Sequence, residues 1–163
     1  MELTTQQKQT LKAWIIANRA SVFDQATTDA LNAENSPLYR VYRTNVPMSE
    51  IMLNGFDWTR VDNLSVGKAR IWDWMKESDP VDKAIDPSKP NIRAGINAVW
   101  VGTAADLAVR AAVYAHCFRA ATVAEKLLAT GAGNAPDQQG DGPATMGWEG
   151  LLTLQNVVDC EAA

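Results

Sequence analysis

The sequence carries a single histidine and only two cysteines in 163 residues, and that scarcity removes most familiar catalytic chemistry. His116 stands beside Cys117, but successive residues on a helix point about 100° apart, so the two cannot form a thiolate–imidazole pair by themselves. Cys117 and Cys160 with one histidine do not supply the ligand spacing of structural zinc, and two cysteines make no disulfide framework. Free thiols are expected. Long apolar runs are also missing: no uncharged stretch approaches the ~20 residues a membrane span needs. Met1–Gln9 is polar and has no apolar h-region, so no signal peptide is expected. Positive charge is in deficit as well, with 15 Lys and Arg against 19 Asp and Glu and a net charge of −4. That balance argues against tight binding to DNA or to an anionic membrane, both of which need a clustered positive field. No Lys or Arg follows Lys126, whereas Asp137, Asp141, Glu149, Asp159 and Glu161 do.

Motifs for phosphate or cations are incomplete. Val66-Gly67-Lys68 lacks the rest of a phosphate loop. Gly131-Ala132-Gly133 follows a helix rather than opening one, so no positive helix end is presented to a phosphate. Asp79, Asp82 and Asp86 form the one acidic loop, but Pro80 and Lys83 interrupt it and no EF-hand spacing appears. Asp73 and Glu77 lie at i, i+4 and read as a solvated face. No catalytic, cofactor-binding or metal-binding residue is assigned, and an enzyme is not expected.

What is abundant is apolar surface: hydrophobic residues make up 47% of the chain, including six tryptophans. This suits one globular domain with a real core. The main expected element is a long central helix from Thr103 to about Thr130, capped by Thr103, stopped by Gly131, and free of internal Gly and Pro. Two apolar rows run along it, one through Leu107, Ala111, Tyr114 and Phe118, the other through Val109, Val113, Val123 and Leu127. Together they cover more of the circumference than a surface helix normally buries.

Other helices are expected from Thr4 or Thr5 to near Asn18, from Phe23 to about Asn32, over Met48–Leu53 and Trp58–Asp62, from a Ser65 cap through Lys76, over Asn91–Trp100, and over Leu154–Glu161 behind Thr153. Trp72 and Trp74 cannot share a helix face, so they meet different surroundings. Gly95 inside a helix costs about 1 kcal/mol against Ala and suggests close backbone approach. Leu38–Arg43 alternates with period two and is the best strand candidate, with Thr145–Thr153 as its expected partner. Gly131–Pro143 reads as a flexible Gly/Pro-rich loop or arm. The fold class is mainly α: a helical bundle around one long central helix (about 103–130) with a minor two-stranded β element, in a single domain spanning residues 1–163.

A basic group, Arg40, Arg43, Arg60, Lys68 and Arg70, is interleaved with Tyr39, Tyr42, Trp58 and Trp72. It suits a nucleic-acid patch, a set of arginines paired with Asp57, Asp62 and Asp73, or a protein interface, where Trp, Tyr and Arg are the enriched anchors. The candidate interface comprises Tyr39, Arg40, Tyr42, Arg43, Trp58, Arg60, Trp74 and Trp148.

Several stretches resemble a family of small tailed-phage proteins encoded among head and neck genes. They are Arg43-Thr44 with Val46-Pro47, Trp58–Asp62, Val66–Trp74, Asn91–Gly95, Ala129–Gly133 and Pro143–Gly150, in an order and spacing that span about residues 38 to 158. The resemblance implies a virion protein of the neck, a head-to-tail connector of the adaptor type. Such adaptors form a homo-oligomeric ring of about twelve copies beneath the portal protein, closed by heterologous contacts. The ring contacts a downstream neck or tail protein and lets DNA pass without sequence-specific binding or any membrane partner. Synthesis would be in the bacterial host cytoplasm. A capsid-associated stabilising protein and a DNA-packaging accessory protein that uses the basic group are the alternatives.

Overall fold

The computed structural model describes residues 2–53, 55–77 and 83–163. The protein is mainly α, about 50% helical, with nine helices and two small two-stranded sheets among the described residues. The chain folds as two compact units. Unit 1 takes Met1–Val41, Ala120–Gly133 and Ala144–Ala163; unit 2 takes Tyr42–Arg119 and Asn134–Pro143.

In unit 1, α1 (Thr5–Arg19), α2 (Gln25–Asn32), α8 (Val123–Leu128) and α9 (Leu154–Glu161) pack on one another. Each starts where a side-chain oxygen takes up an orphan helix N–H: Thr4, Asp24, Thr122 and Thr153 all accept from the residue three positions on. The buried faces bring Leu11, Ile15, Leu31, Ala124, Trp148, Leu152, Val157 and Cys160 into one core. A smaller cluster of Val41, Ala121 and Ala144 lies beneath Tyr39 and Met146.

Unit 2 contains α3 (Met48–Ile51), α4 (Thr59–Asp62), α5 (Val66–Lys76), α6 (Pro90–Val99) and α7 (Ala104–Ala115). It also holds the antiparallel pair β2 (Val46–Pro47) and β3 (Ala84–Ile85), with Val46 opposite Ile85. Its core is aromatic. Phe56 stacks on Trp72 at 5.7 Å, and Trp100 meets both edge-on at 5.6 and 5.3 Å, the offset and T-shaped geometries that ring quadrupoles favour. Gly95 sits where α6 crosses α5: a Cβ there would lie 2.5 Å from the Met75 sulfur, so the close approach expected from sequence is present.

The long central helix over 103–130 is not formed. α7 ends at Ala115 with His116 as C-cap, Phe118–Ala120 becomes strand β4, and α8 begins afresh at Val123. Two causes compete with the helical propensity of these alanines, which is only a few tenths of a kcal/mol per residue. Thr122 and Glu125 form a capping box that restarts the helix. The backbone between them and α7 finds partners elsewhere: the Arg43 N–H donates to the Cys117 carbonyl at 2.9 Å, and the Ala121 N–H to the Tyr39 carbonyl at 2.9 Å. The strand partner differs too. β1 (Arg40–Tyr42) pairs with β4, not with Thr145–Thr153; among the described residues Thr145 bridges Thr130, and Ala144, just ahead of that stretch, bridges Val41.

Glu125 is 1% exposed, with one carboxylate oxygen accepting from the Thr122 N–H at 3.0 Å and the other from the Gly150 N–H at 3.2 Å. Replacing Glu125 with Ala strands both donors and is expected to lower stability by about 2–3 kcal/mol, measured as the shift in urea midpoint.

Candidate functional site

The residues singled out from sequence divide between the two units and between core and surface. In unit 1, Tyr39 is half-buried; its hydroxyl donates to the Gly131 carbonyl at 2.8 Å, and the Lys126 ammonium lies 5.7 Å from its ring centre. Arg40 is held by its backbone, which donates to Gly133 and accepts from Ala144, while its guanidinium has no ion pair among the described residues. Trp148 is 5% exposed and belongs to the unit 1 core.

The others lie in unit 2. Tyr42 is 3% exposed; its hydroxyl donates to the Gly140 carbonyl at 2.7 Å, and the Arg93 guanidinium covers its ring at 4.2 Å. Arg43 grips Glu50 with both terminal nitrogens, at 2.5 and 2.9 Å, and also donates to the His116 carbonyl. Those bonds hold the Glu50 carboxyl below the usual carboxylate range. Arg60 donates to Asp106 at 2.6 and 3.2 Å. Thus the arginines that pair do so with Glu50 and Asp106, not with Asp57, Asp62 and Asp73. Glu50 lies seven positions from Arg43, whereas sequence proximity could not reveal Asp106, which is 46 positions from Arg60. The Lys68 ammonium donates to the Val101 carbonyl.

Trp58 and Trp74 are different: they are 56% and 67% exposed. Trp58 leans its edge on Phe56 at 5.5 Å. Trp74 stands on the outer side of α5, one helical turn beyond exposed Arg70 and two beyond Val66, which is 72% exposed. Two positions away on the same helix, Trp72 is 2% exposed, so the pair separates as the helical spacing requires.

His116 and Cys117, adjacent in sequence, engage different partners. Burial pushes the Cys117 thiol up to about 12, and its S–H donates to the Val113 carbonyl, away from His116. His116 Nδ1 faces Glu50 at 3.3 Å. Among the described residues no three His, Cys, Asp or Glu side chains are arranged to hold a metal ion. Asp79 and Asp82 of the acidic loop lie outside the described residues; Asp86 accepts from the Ser88 N–H and hydroxyl and faces Lys89 at 3.3 Å.

One feature of unit 2 was not read from the sequence. Part of the first apolar row of the expected long helix, with the alanines beside it, is left outside the core: Ala104, Ala108, Ala111 and Ala115 are exposed and Leu107 is 38% exposed. With Tyr114, Phe118 and the Pro136–Gln138 stretch they line a groove of about 490 Å³. The far wall is kept in place by glycine. Gly140, at φ +80°, packs its bare Cα against the Tyr114 ring, and Asp137 organises the turn by accepting from the Gln139 and Asp141 N–H groups.

Gly140→Ala combines a left-handed backbone with a clash on Tyr114. It is expected to cost about 2–4 kcal/mol, read by thermal melting. The Arg60 and Thr103 bonds depress the Asp106 carboxyl from 3.8 to about 2. Its contribution to stability is therefore present above about pH 4 and is lost as pH falls through about 2. Asp106→Asn should flatten the stability–pH profile in that window and leave it unchanged near neutrality in shape, though lower in height; acid titration of the unfolding free energy checks this. No protein-family model, curated protein or solved structure matches the chain.

Proposed function

We propose that the protein is a structural subunit of a tailed-phage virion, a head-to-tail connector whose copies close into a ring beneath the portal and leave a passage for DNA. The reading rests on the resemblance carried by Trp58–Asp62, Val66–Trp74 and Pro143–Gly150. The structural observation that supports it is the exposure of Trp58 and Trp74, at 56% and 67%, on a unit whose other tryptophans, Trp72 and Trp100, are buried. Large aromatic surface held in water is costly, and tryptophan is the residue most enriched at the energetic centres of protein interfaces. A connector also suits the charge. With Arg43 and Arg60 tied to Glu50 and Asp106 and a net charge of −4, the chain offers phosphates little to hold, which favours DNA sliding past over DNA being gripped. That same pairing weighs against the packaging-accessory reading, whose basic group loses two of its five charges.

Mass photometry of the purified protein tests the ring, and copy number per virion tests its place. A closed oligomer of about a dozen copies at the neck is expected; hundreds of copies spread over the capsid lattice would rule the connector out. Trp74→Ala and Trp58→Ala are expected to leave the melting temperature within the small range of surface substitutions, about 0.5 kcal/mol, while weakening assembly roughly tenfold or more.

A further inference from the structure

The groove on α7 contains a charge without a partner. Arg110 lines it, is 7% exposed, and makes no hydrogen bond or ion pair among the described residues. Its nitrogens are not among the buried polar atoms left without a partner, so water reaches them through the groove and a carboxylate entering it can accept from them in a charge-assisted bond. The one carboxylate on the lining, Asp137, turns Oδ1 to the Gln139 and Asp141 N–H groups and forms no ion pair with Arg110. The floor has the shape for a helix. Ala104, Ala108, Ala111 and Ala115 are spaced 4, 3, 4, the seam of a coiled coil, and their small side chains permit close helix approach. The occupant therefore needs a helix with an apolar stripe at the same period and an acidic group on that stripe.

The chain itself carries one. Leu151 (69% exposed), Leu154 (42%) and Val158 (39%) run along and just ahead of α9 with spacing 3 and 4, and exposed Glu161 follows three positions later on the same line. The inward side of α9 is a different set, Val157 and Cys160, so the outer stripe is free while the helix stays folded in unit 1. The segment itself carries no Lys or Arg; the cations beside it, Lys8 and Lys12 of α1, are engaged with Asp159 and with the Glu161 and Ala163 carbonyls. Both stripes are exposed in the single chain. We propose that the α7 groove receives α9 of a second copy, with Leu154 and Val158 on the alanine seam and the Glu161 carboxylate accepting from Arg110. The contact is heterologous: each copy offers a groove and a helix, so copies add head to tail and close if the rotation allows. This deepens the connector reading and rests on it, since it names the surface by which the copies join.

Charge reversal tests the pairing in the full-length protein by sedimentation velocity. Glu161→Arg and Val158→Asp change exposed positions, so each should keep the wild-type melting temperature yet weaken self-association roughly tenfold or more. Arg110→Glu should do the same if it folds, and mixing it with Glu161→Arg should restore assembly, because every groove in an alternating ring then faces an opposite charge. Raised salt should weaken the wild-type assembly. If the wild type stays monomeric at all concentrations, the connector reading fails and this contact with it. If the wild type assembles and Glu161→Arg and Val158→Asp assemble equally well, the ring stands, something other than α9 covers the groove, and the proposed contact is wrong.

Discussion

Two buried carboxylates set where the helices of this protein begin, and much else follows from their placement. Asp106 and Glu125 each occupy the third position of a capping box. Each also reaches beyond its own helix, Asp106 to the Arg60 guanidinium and Glu125 to the Gly150 N–H. A carboxylate that caps a helix and holds a remote segment joins local and tertiary structure in one group, and in a low-dielectric setting such charge-assisted bonds are the strong ones. Because Asp106 fixes the first turn of α7, it also fixes the rotation of that helix. Val109 and Val113 then face the aromatic core, and the alanines face outward.

That rotation explains an apolar content that one helix could not bury. A helix packed against a single core hides about a third of its circumference, and α7 hides the Val109 and Val113 side. The alanine side is left in water at little cost because each methyl is small. Trp58 and Trp74 are the opposite case, large rings in water, while Phe56, Trp72 and Trp100 satisfy one another in the core. In both cases the surplus apolar surface lies on unit 2.

The local signals in the sequence were legible wherever capping chemistry and periodicity agreed. Thr4, Ser65 and Thr153 marked helix starts that the structure has, Leu38–Arg43 contained β1, and Gly95 announced a close crossing. The long helix misled because uninterrupted alanine is strong evidence for helix but says nothing about where one helix ends and another begins. The missed signal was Thr122-x-x-Glu125, a restart motif within the run. The partner of Arg60, the placement of Tyr42 and Trp148 in cores, and the groove opposite Pro136–Gln138 all depend on contacts between distant segments. No single stretch of sequence encodes these. β3, two residues in a proline-rich connection, exists only because Val46 and Pro47 are opposite it.

Cys117 and Cys160 are both free and buried, and burial raises both thiols above their ordinary range. Since thiolate is the form that reacts, slow alkylation and oxidation of both thiols are expected in the folded chain at neutral pH. A single engineered surface cysteine would therefore report its own position against a nearly silent background, with no native residue to be removed first.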